Sequence, residues 1–469
     1  MFISNIGNLD SIALIEDNSS VLTYFDLDQQ VRDFSNFFDY KKHLVFIIGE
    51  NDVETIVCYL SAVESGMVPI LLVTKINQNQ LNNLINIYKP KYIFQKIDSN
   101  PYGEFNLTSK YERYSLFQRD KHENIRLHPE LALLLTTSGS TGSPKLVRLT
   151  KKNLISNAKS ISKYLDINSD DRAITSLPYN YSYGLSVINT HLSSGGSLVL
   201  TNASMMEGNF WRLVKKYSVT SFAGVPYNYE MILRLGVDKL EISSINKMTQ
   251  AGGRLDFNKI EKINNFLKSK NIKFYIMYGQ TEATARMSYL PPKDIERKPD
   301  SIGLAIPNGK LWIEDSKGHI IEQSESVGEL IYSGENVSMG YARSIIDLEL
   351  GDKNDGILKT GDLARFDSEG YFFIEGSNNR FVKLFGNRIS LDSLEKIVSN
   401  KGFESVATGD DKKIVIHIIN HPNLSQDSLR SEISEVIGIN HVAIKINVIS
   451  EFPRLDNGKI DYKLLNKSK

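Results

Sequence analysis

The sequence predicts an α/β protein that continues into a β-rich region and a small α+β domain. Three observations predict this class. Strand-like and helix-like patterns alternate over the first 240 residues, short β-like segments follow after about residue 300, and helices and strands alternate again from about residue 390. With 469 residues, the chain has room for about three domains.

The first region follows the order strand, helix, strand, which indicates a parallel sheet. One such unit is formed by the apolar run 44–48, the helical spacing of 53–65 and the apolar run 68–73. The order recurs further along the chain. Further strands are predicted at 197–200, 219–223 and 275–277, and further helices at 209–217 and at 226–235, which proline opens.

The two later regions have shorter elements. Segments 328–333, 356–366 and 371–375 are β-rich and separated by turn residues, which is typical of a small antiparallel sheet or barrel. The closing α+β domain is predicted to contain helices 391–399 and 426–437 and strands 413–419 and 442–448. The polar stretch 376–380 is a candidate linker, so we expect an N-terminal domain over 1–378 and a C-terminal domain over 379–469.

Composition excludes several function classes. Lys plus Arg total 55 and Asp plus Glu total 55, so the global basic footprint of a nucleic-acid binder is absent. The one cysteine, Cys58, cannot form an internal disulfide, and the eight histidines show no zinc-site spacing. The apolar runs are too short to cross a membrane, and residues 1–10 lack the features of a signal peptide. We therefore expect a cytoplasmic enzyme without a nucleic-acid partner or a membrane span.

Residues 136–145 read Thr-Thr-Ser-Gly-Ser-Thr-Gly-Ser-Pro-Lys and follow the apolar run 131–135. Hydroxyls and flexible backbone N–H groups suit an anion with several oxygens, and Lys145 adds positive charge. Pro144 stands where the Walker signature requires glycine, so a phosphate loop of another kind is indicated. A flexible Ser/Gly surface linker is the alternative, and the position after a buried strand favours phosphate binding.

Residues 278–282, Tyr-Gly-Gln-Thr-Glu, directly follow the predicted strand 275–277. Ligands bind at the carboxyl ends of strands in open α/β sheets. The segment offers a hydroxyl for a phosphate, a carboxylate for magnesium and an aromatic face for a base. By itself, a glycine turn with an exposed glutamate is common, so an ordinary surface turn remains the alternative.

Two further motifs each have an ordinary alternative. Asp362 follows Thr360 and Gly361, and its two acceptor oxygens suit a ribose diol, although an Asp-Gly hairpin turn fits equally well. Lys459 follows Asn457 and Gly458 near the C-terminus. Taken alone, such a lysine is an ordinary solvated surface charge.

Together and in this order, the four motifs closely resemble those of the adenylate-forming superfamily, which comprises acyl-CoA synthetases, aryl-CoA ligases, luciferases and the adenylation domains of peptide synthetases. The resemblance runs from about Leu131 to Leu465 and includes the landmarks 251–253, 328–330, 340–341 and 383–389. It implies a large N-terminal domain with two mixed or parallel sheets flanked by helices, a β-rich subdomain, and a small mobile α+β C-terminal domain.

The resemblance also implies a two-step reaction. A carboxylic acid attacks the α-phosphate of ATP, which releases pyrophosphate and leaves an acyl-adenylate, and a thiol of CoA or phosphopantetheine then displaces AMP. The residues that it assigns to the nucleotide are Thr137, Ser138, Gly139, Ser140, Thr141, Gly142, Lys145, Gly252, Gly253, Tyr278, Gly279, Gln280, Asp362 and Lys459.

Particular roles follow from the same resemblance. Thr281 would contact the α-phosphate and Glu282 would hold Mg²⁺. Asp362 would bind the ribose, while Gly252, Gly253 and Tyr278 would line the adenine pocket. Lys459 would contact both the substrate carboxylate and the α-phosphate, which suits a compact charge on a flexible stem.

The linker departs from the family pattern Gly-Arg-x-Asp. Ser377 stands in the place of the arginine and Asn379 in the place of the aspartate, so one charge is lost at each position. The effect on nucleotide affinity or on domain rotation is open. Arg380 is the candidate replacement for the missing guanidinium and is therefore included among the predicted nucleotide-binding residues.

The substrate side is predicted to involve Tyr183, Gly184 and Val225. In amino-acid-activating relatives, an aspartate pairs with the substrate ammonium, and Gly184 takes its place here. Because a buried ammonium without a carboxylate is costly, this favours a small-molecule acid without an α-ammonium and an acyl-CoA synthetase-like ligase. Two alternatives stay open: amino-acid activation with loading of a carrier protein, and a catalytically weakened nucleotide-binding or regulatory protein. The tyrosines of this segment could also simply pack a core.

Overall fold

A computed structural model describes residues 3, 6–39, 41–97, 103–120, 125–136, 145–236, 240, 242–377, 380–384, 387–410, 412–437, 439–455 and 457–467. The chain divides into two compact units. The first comprises Met1–Pro299, Ala305–Lys310 and Tyr332–Leu358, and the second comprises Asp300–Leu304, Leu311–Ile331 and Lys359–Lys469. The expected domain boundary between residues 378 and 379 stays a prediction.

The strands are numbered in chain order. They are β1 (Ile12–Glu16), β2 (Val21–Thr23), β3 (Leu44–Gly49), β4 (Val68–Val73), β5 (Tyr92–Lys96), β6 (Phe105–Tyr111), β7 (Tyr114–Arg119), β8 (Leu131–Thr136), β9 (Leu146–Thr150), β10 (Arg172–Ile174), β11 (Ser197–Leu200), β12 (Ser221–Gly224), β13 (Lys247–Gln250), β14 (Lys273–Tyr278), β15 (Ser288–Leu290), β16 (Ser301–Ala305), β17 (Lys310–Glu314), β18 (Gly328–Ser333), β19 (Tyr341–Ala342), β20 (Ile357–Phe366), β21 (Phe372–Ser377), β22 (Phe381–Leu384), β23 (Asn387–Ser390), β24 (Ser405–Gly409), β25 (Ile414–Ile419) and β26 (Ile444–Ile449).

The α-helices are numbered in the same way. They are α1 (Tyr24–Ser35), α2 (Val53–Glu64), α3 (Gln78–Tyr88), α4 (Lys151–Leu165), α5 (Ser182–Ser193), α6 (Gly208–Lys216), α7 (Pro226–Leu235), α8 (Phe257–Ser269), α9 (Leu391–Ser399), α10 (Gln426–Ile437) and α11 (Tyr462–Lys467).

One sheet of the first unit has the order β19-β9-β8-β4-β3-β5-β7-β6. Its centre is parallel, since β3 pairs in parallel with β4 and β5, and β4 pairs in parallel with β8. Strands β3 and β4 are buried almost throughout because helices cover both faces, which explains their continuous apolar sequences. Helix α2 begins after Asp52, whose Oδ1 accepts the N–H of Thr55 at 3.0 Å.

The second sheet of this unit has the order β15-β14-β13-β12-β10-β11-β1-β2. From β14 to β1 the strands are parallel, and the outer strands β15 and β2 are antiparallel. Because parallel strands end at one edge, β12, β13 and β14 deliver the residues that follow them to the same edge of the sheet. Those residues are Val225, the glycines 252 and 253, and the segment 278–282.

Most of β16, β17, β18, β20 and β21 lies in the second unit, in the order β17-β18-β20-β21-β16. Strand β21 pairs antiparallel with both β20 and β16, as the short β-rich segments of the sequence predict. The C-terminal part contains the hairpin β22–β23 and the sheet β24-β25-β26, whose apolar faces form one core with α9 and α10.

The α/β class is confirmed, and the predicted elements occur with ends that agree to within two residues. Among the elements that were not predicted are two in the C-terminal part. The hairpin β22–β23 contains Lys383, Asn387 and Arg388, which mask its strand pattern, and β24 begins with a serine and ends in a glycine. The two hairpin strands and β24 are fixed by pairing with a neighbouring strand rather than by local propensity.

Candidate active site

Glu282 lies in a short 3-10 turn, Thr281–Ala283, that follows β14. The hydroxyl of Tyr341 donates to Oε1 of Glu282 at 2.7 Å, and the N–H of Ser338 donates to the carbonyl oxygen of Glu282 at 2.8 Å. Lys145 Nζ lies 3.3 Å from the centre of the Tyr341 ring. Tyr341 therefore joins the predicted magnesium carboxylate to the lysine that ends the predicted phosphate loop.

Burial, together with the adjacent Glu282 carboxylate, raises the pKa of Tyr341, so this phenol stays protonated and donates at physiological pH. In the sequence, Tyr341 stood out only as part of a family landmark, and its contact with Glu282 was not foreseen. The signal that could have found it is the position of Tyr341 on β19, which pairs with β9 immediately after Lys145.

The carboxylate of Glu282 fits a magnesium ion. Oε1 accepts from Tyr341, whereas Oε2 has no partner among the residues that the structure describes. Carboxylate oxygens are the ligands that Mg²⁺ prefers, and this ion usually takes only one or two of them, with water and substrate phosphates completing the shell. In agreement with this, the described ranges contain no cluster of three or more His, Cys, Asp or Glu residues that could bind a metal ion together.

Thr281 lies at the start of the same turn, with its Oγ1 3.1 Å from Oγ of Ser182. Ser182 is the first residue of α5 and is buried. The hydroxyl predicted to meet the α-phosphate is thus held between the end of β14 and the start of α5, beside Glu282.

Two glycines of the predicted nucleotide site are required by close packing. Gly252 has φ +86°, and a Cβ there would lie 2.4 Å from Oη of Tyr181. A Cβ on Gly279 would lie 1.7 Å from the carbonyl oxygen of Ala285. Neither position accepts a side chain, so both glycines bring backbone to a place where a larger residue cannot fit.

The remaining members of this predicted set also lie at the strand edge. The carbonyl oxygen of Gly253 accepts Nε2 of Gln250 at 2.8 Å. Gln280 Nε2 donates to Oη of Tyr278 at 3.3 Å. The segment 278–282 and the glycine pair therefore occupy the same edge, as their positions after β13 and β14 predict.

Tyr183 and Val225 lie together in one buried cluster with Ala251. The hydroxyl of Tyr183 donates to the carbonyl oxygen of Thr249 at 2.8 Å, and burial raises the pKa of Tyr183 to about 12. Val225 Cγ1 would be 3.2 Å from a Cβ on Gly252. The predicted acid-side residues therefore adjoin the predicted nucleotide side.

Gly184 is packed closely against backbone. A Cβ at this position would lie 2.2 Å from the carbonyl oxygen of Pro178 and 3.0 Å from that of Leu177. The glycine lets the first turn of α5 pack directly against this backbone. Packing therefore accounts for the glycine at position 184, so the missing carboxylate is weaker evidence for an acid without an ammonium, and the substrate-side role of Gly184 stays a prediction.

Asp362 and Lys459 both belong to the second unit. Asp362 lies inside β20 opposite Ser377, and Gly361, with φ +74°, lies inside the strand as well. The alternative of an Asp-Gly hairpin turn is therefore wrong. Lys459 closes a tight turn, since the N–H of Leu455 donates to its carbonyl oxygen at 2.8 Å.

Arg380, the candidate replacement for the missing guanidinium, is paired within the second unit. It forms an ion pair with Asp392, and its Nη2 lies 2.6 Å from Oε1 of Glu395 and 2.9 Å from the carbonyl oxygen of Ala407. Its Cζ also lies 4.6 Å from the centre of the Tyr462 ring. Two carboxylates within the second unit already neutralise this charge, and the nucleotide contact of Arg380 stays a prediction.

Several predicted residues lie outside the described ranges: Thr137, Ser138, Gly139, Ser140, Thr141, Gly142 and Asn379. Their roles stay predictions. The strands on either side of the phosphate-loop segment are described, and Thr136 pairs with Leu146 in an antiparallel ladder. Within the described part of the chain, no helix has the length and apolar character needed to span a membrane.

The fold and this edge define the class of the protein, an α/β enzyme with its candidate site at the carboxyl ends of parallel strands. Residues 6–342 match the family model described as "AMP-binding enzyme", and the chain belongs to that family. The predicted resemblance and the prediction of an enzyme are thereby confirmed.

Known relatives include both a ligase of similar length and much longer synthetases. The 2-succinylbenzoate–CoA ligase of Staphylococcus epidermidis is 24% identical, over 97% of this chain and 95% of its own. The hybrid PKS-NRPS synthetase fsa1 of a Fusarium species is 23% identical over 98% of this chain, which spans only 13% of that synthetase.

Solved structures share the fold. The o-succinylbenzoate CoA synthetase of Bacillus subtilis, in complex with its acyl-adenylate intermediate, superposes with a TM-score of 0.76 at 20% identity, and the alignment covers 97% of this chain and 95% of the other. ATP-bound MatB of Rhodopseudomonas palustris gives 0.79 at 19% identity, covering 99% and 97% of the two chains.

Proposed function

We propose that this enzyme activates a carboxylic acid with ATP and Mg²⁺ and passes the acyl group to a thiol. In the first step, a carboxylate oxygen attacks the α-phosphorus, the bond to the bridging oxygen breaks, and pyrophosphate leaves. In the second step, the thiol sulfur attacks the acyl carbonyl carbon and AMP leaves. The observation that carries this proposal is the Lys145–Tyr341–Glu282 arrangement beside Thr281.

Charge makes this arrangement suitable. A carboxylate and a triphosphate repel one another, so catalysis depends on positioning them and neutralising the charge that they bring together. When bound, Mg²⁺ would neutralise phosphate oxygens, and Glu282 is the described side chain that fits it. Lys145 supplies positive charge beside Tyr341, and Thr281 offers a hydroxyl.

The second unit contributes two side chains to the proposal. Asp362 accepts the ribose hydroxyls with its two oxygens, and Lys459 stabilises the developing charge at the α-phosphate. The tight turn holds the Lys459 backbone in a fixed position for this role, since Gly458 adopts φ +77° directly before the lysine and the N–H of Leu455 donates to the lysine carbonyl oxygen.

CoA is the first candidate for the acceptor, and a carrier-protein phosphopantetheine is the second. The second gains weight from one observation, the packing origin of Gly184, since this weakens the argument against amino acids as substrates. Relatives such as bacitracin synthase 2 of Bacillus licheniformis also make this candidate worth testing. We also propose a cytoplasmic location, which is consistent with a sequence whose one cysteine, Cys58, cannot form an internal disulfide.

Exchange of labelled pyrophosphate into ATP tests the proposal. The full chain is assayed with a panel of monocarboxylic, dicarboxylic and amino acids, with and without Mg²⁺. Exchange that requires both an acid and Mg²⁺ supports the function, and the acids that promote it identify the substrate class. Absence of exchange with every acid would support a regulatory nucleotide-binding protein instead.

A further inference from the structure

Arg286 is a buried arginine on the segment between the 3-10 turn and β15, with only 2% of its surface exposed. Its backbone is fixed, because its carbonyl oxygen accepts Nδ2 of Asn336 at 2.9 Å and Nδ2 of Asn157 at 3.2 Å. Its Cζ lies 3.8 Å from the centre of the Tyr183 ring, and its Nε lies 3.3 Å from Sδ of Met277. The guanidinium is therefore held in one place beside the predicted acid-side residues.

Among the residues that the structure describes, no carboxylate forms an ion pair with Arg286. A second buried cation, Lys247, shows the contrast, since its Nζ lies 2.9 Å from Asp171. Burial of an unpaired charge is costly, and the ring and sulfur contacts of Arg286 offset only part of that cost. An arginine placed in this way is suited to an anion that comes from outside the chain.

Arg286 also lines a cavity between α4, α5 and the second sheet of the first unit. Apolar side chains, among them Ile161, Val187 and Ala223, form most of its wall. Thr249, which accepts the Tyr183 hydroxyl, lines it as well. The cavity is narrow, since the centre of a water molecule has only about 20 Å³ available. It therefore has room for one small group, so a terminal carboxylate placed there would meet Arg286 while the apolar stem of the acid lay outside the cavity, beside the Tyr183 ring.

We propose that Arg286 determines specificity by pairing with a second carboxylate on the acid, so that the substrate class is a dicarboxylic acid with an apolar stem. This inference rests on the proposed function, in which the first carboxylate reacts with ATP. The planar guanidinium matches a carboxylate through two parallel hydrogen bonds, which lysine cannot reproduce.

A competing assignment is that Arg286 holds the reacting carboxylate. The two assignments predict different changes in activity when the charge of Arg286 is removed. If Arg286 binds the second carboxylate, its loss lowers activity on dicarboxylic acids alone. If it binds the reacting carboxylate, its loss lowers activity on all acids by the same factor.

The experiment compares matched acids in the pyrophosphate exchange assay: glutaric with pentanoic acid, adipic with hexanoic acid, and isophthalic with benzoic acid. For at least one pair, the unmodified enzyme should prefer the dicarboxylic acid by about tenfold or more in kcat/KM. Arg286→Gln should bring that ratio close to one while activity on the monocarboxylic acid persists, and Arg286→Lys should keep part of the preference. Preference for the monocarboxylic acid in every pair, or an equal fall for both members, overturns the proposal.

A binding measurement separates this inference from the proposed function. At millimolar concentration, the preferred dicarboxylic acid should raise the Tm of the unmodified protein and leave that of Arg286→Gln unchanged. Such a rise without any pyrophosphate exchange would contradict the proposed function and support the anion site. No rise with any dicarboxylic acid would overturn the site itself.

The matched control is Arg172→Gln. Arg172 is a half-buried arginine of the same sheet whose Nε donates to Oγ of Ser197 at 2.9 Å, and it is not part of the cavity wall. Its loss should lower Tm without changing the ratio between dicarboxylic and monocarboxylic acids. Should Arg286→Gln fail to fold, the ratios of the unmodified enzyme and of Arg286→Lys still decide the question.

Discussion

The hydroxyl of Tyr341 lies 2.7 Å from Oε1 of Glu282, although 59 residues separate the two in the sequence. This hydrogen bond holds the carboxylate in place, and Nζ of Lys145 lies over the face of the same tyrosine ring. One phenol thus contacts both the oxygen that we propose for Mg²⁺ and the cation that we propose for phosphate.

Tyr341→Phe should therefore raise the Mg²⁺ concentration needed for half-maximal exchange by about tenfold. The ring that contacts Lys145 is kept, so only the hydrogen bond to Glu282 is removed. A titration of Mg²⁺ at saturating ATP measures the effect. Tyr332→Phe is the control, since it removes another buried 2.7 Å hydrogen bond, to Asn336. An unchanged Mg²⁺ requirement in Tyr341→Phe would show that the contact does not orient the metal carboxylate.

Lys459→Ala should lower the rate of adenylate formation by about 10²–10³-fold, as expected when a donor to developing charge is lost. Thioester formation from supplied acyl-adenylate should persist, because that step no longer involves the triphosphate. The two half-reactions are assayed separately, with Lys445→Ala, which changes an exposed lysine of the same unit, as the control. Survival of both half-reactions would remove Lys459 from the catalytic set.

Gly184→Ala should destabilise the protein by about 1–3 kcal/mol, because the new methyl group meets the Pro178 carbonyl oxygen. The fall in Tm should be independent of the acid present. Gly208→Ala is the control, since a Cβ there has no atom within 4 Å. If Gly184→Ala folded normally and changed only the acid preference, position 184 would be part of the substrate pocket after all.

His191 should make stability depend on pH. It is buried, with Nε2 3.1 Å from Oγ of Ser221, and burial lowers its pKa to about 4 from an ordinary value of 6.5. Between these two values the unfolded chain binds the additional proton, so stability is complete above about pH 6.5 and falls as the pH approaches 4.

The expected loss from this group is on the order of 3 kcal/mol across that range. Thermal unfolding at pH 7, 5.5 and 4.5 measures it, and His191→Gln should flatten the pH dependence. His319→Gln, at an exposed histidine, is the control. An equally steep fall in His191→Gln would assign the effect to other groups.

The sequence predicts the strand-end positions of this site well, because a buried parallel strand has an unmistakable apolar run. Residues 278–282 lie at the carboxyl end of β14 as expected, and Gly252 follows β13. The residues that complete the site from other strands could not be predicted in this way. Tyr341 reaches Glu282 through the pairing of β19 with β9, and no local pattern reports such a contact.

Other features that the sequence did not reveal have the same origin in tertiary structure. Arg380 looks like a free cation in the sequence, yet Asp392 and Glu395 neutralise it from the following helix. Gly184 looks like the loss of a carboxylate, yet the Pro178 backbone leaves no room for a side chain. That no carboxylate of the described residues pairs with Arg286 is also visible only in the structure.

The central claim is that Glu282, oriented by Tyr341, serves the Mg²⁺-dependent attack of a carboxylic acid on ATP. The most direct measurement is pyrophosphate exchange by the unmodified chain, by Glu282→Gln and by Glu335→Gln, whose glutamate lies on the same unit and pairs with Lys152 at 3.1 Å. The account predicts acid-dependent exchange in the unmodified chain and in Glu335→Gln, and a loss of at least about 100-fold in Glu282→Gln that added Mg²⁺ only partly restores. Equal exchange in all three proteins would contradict it.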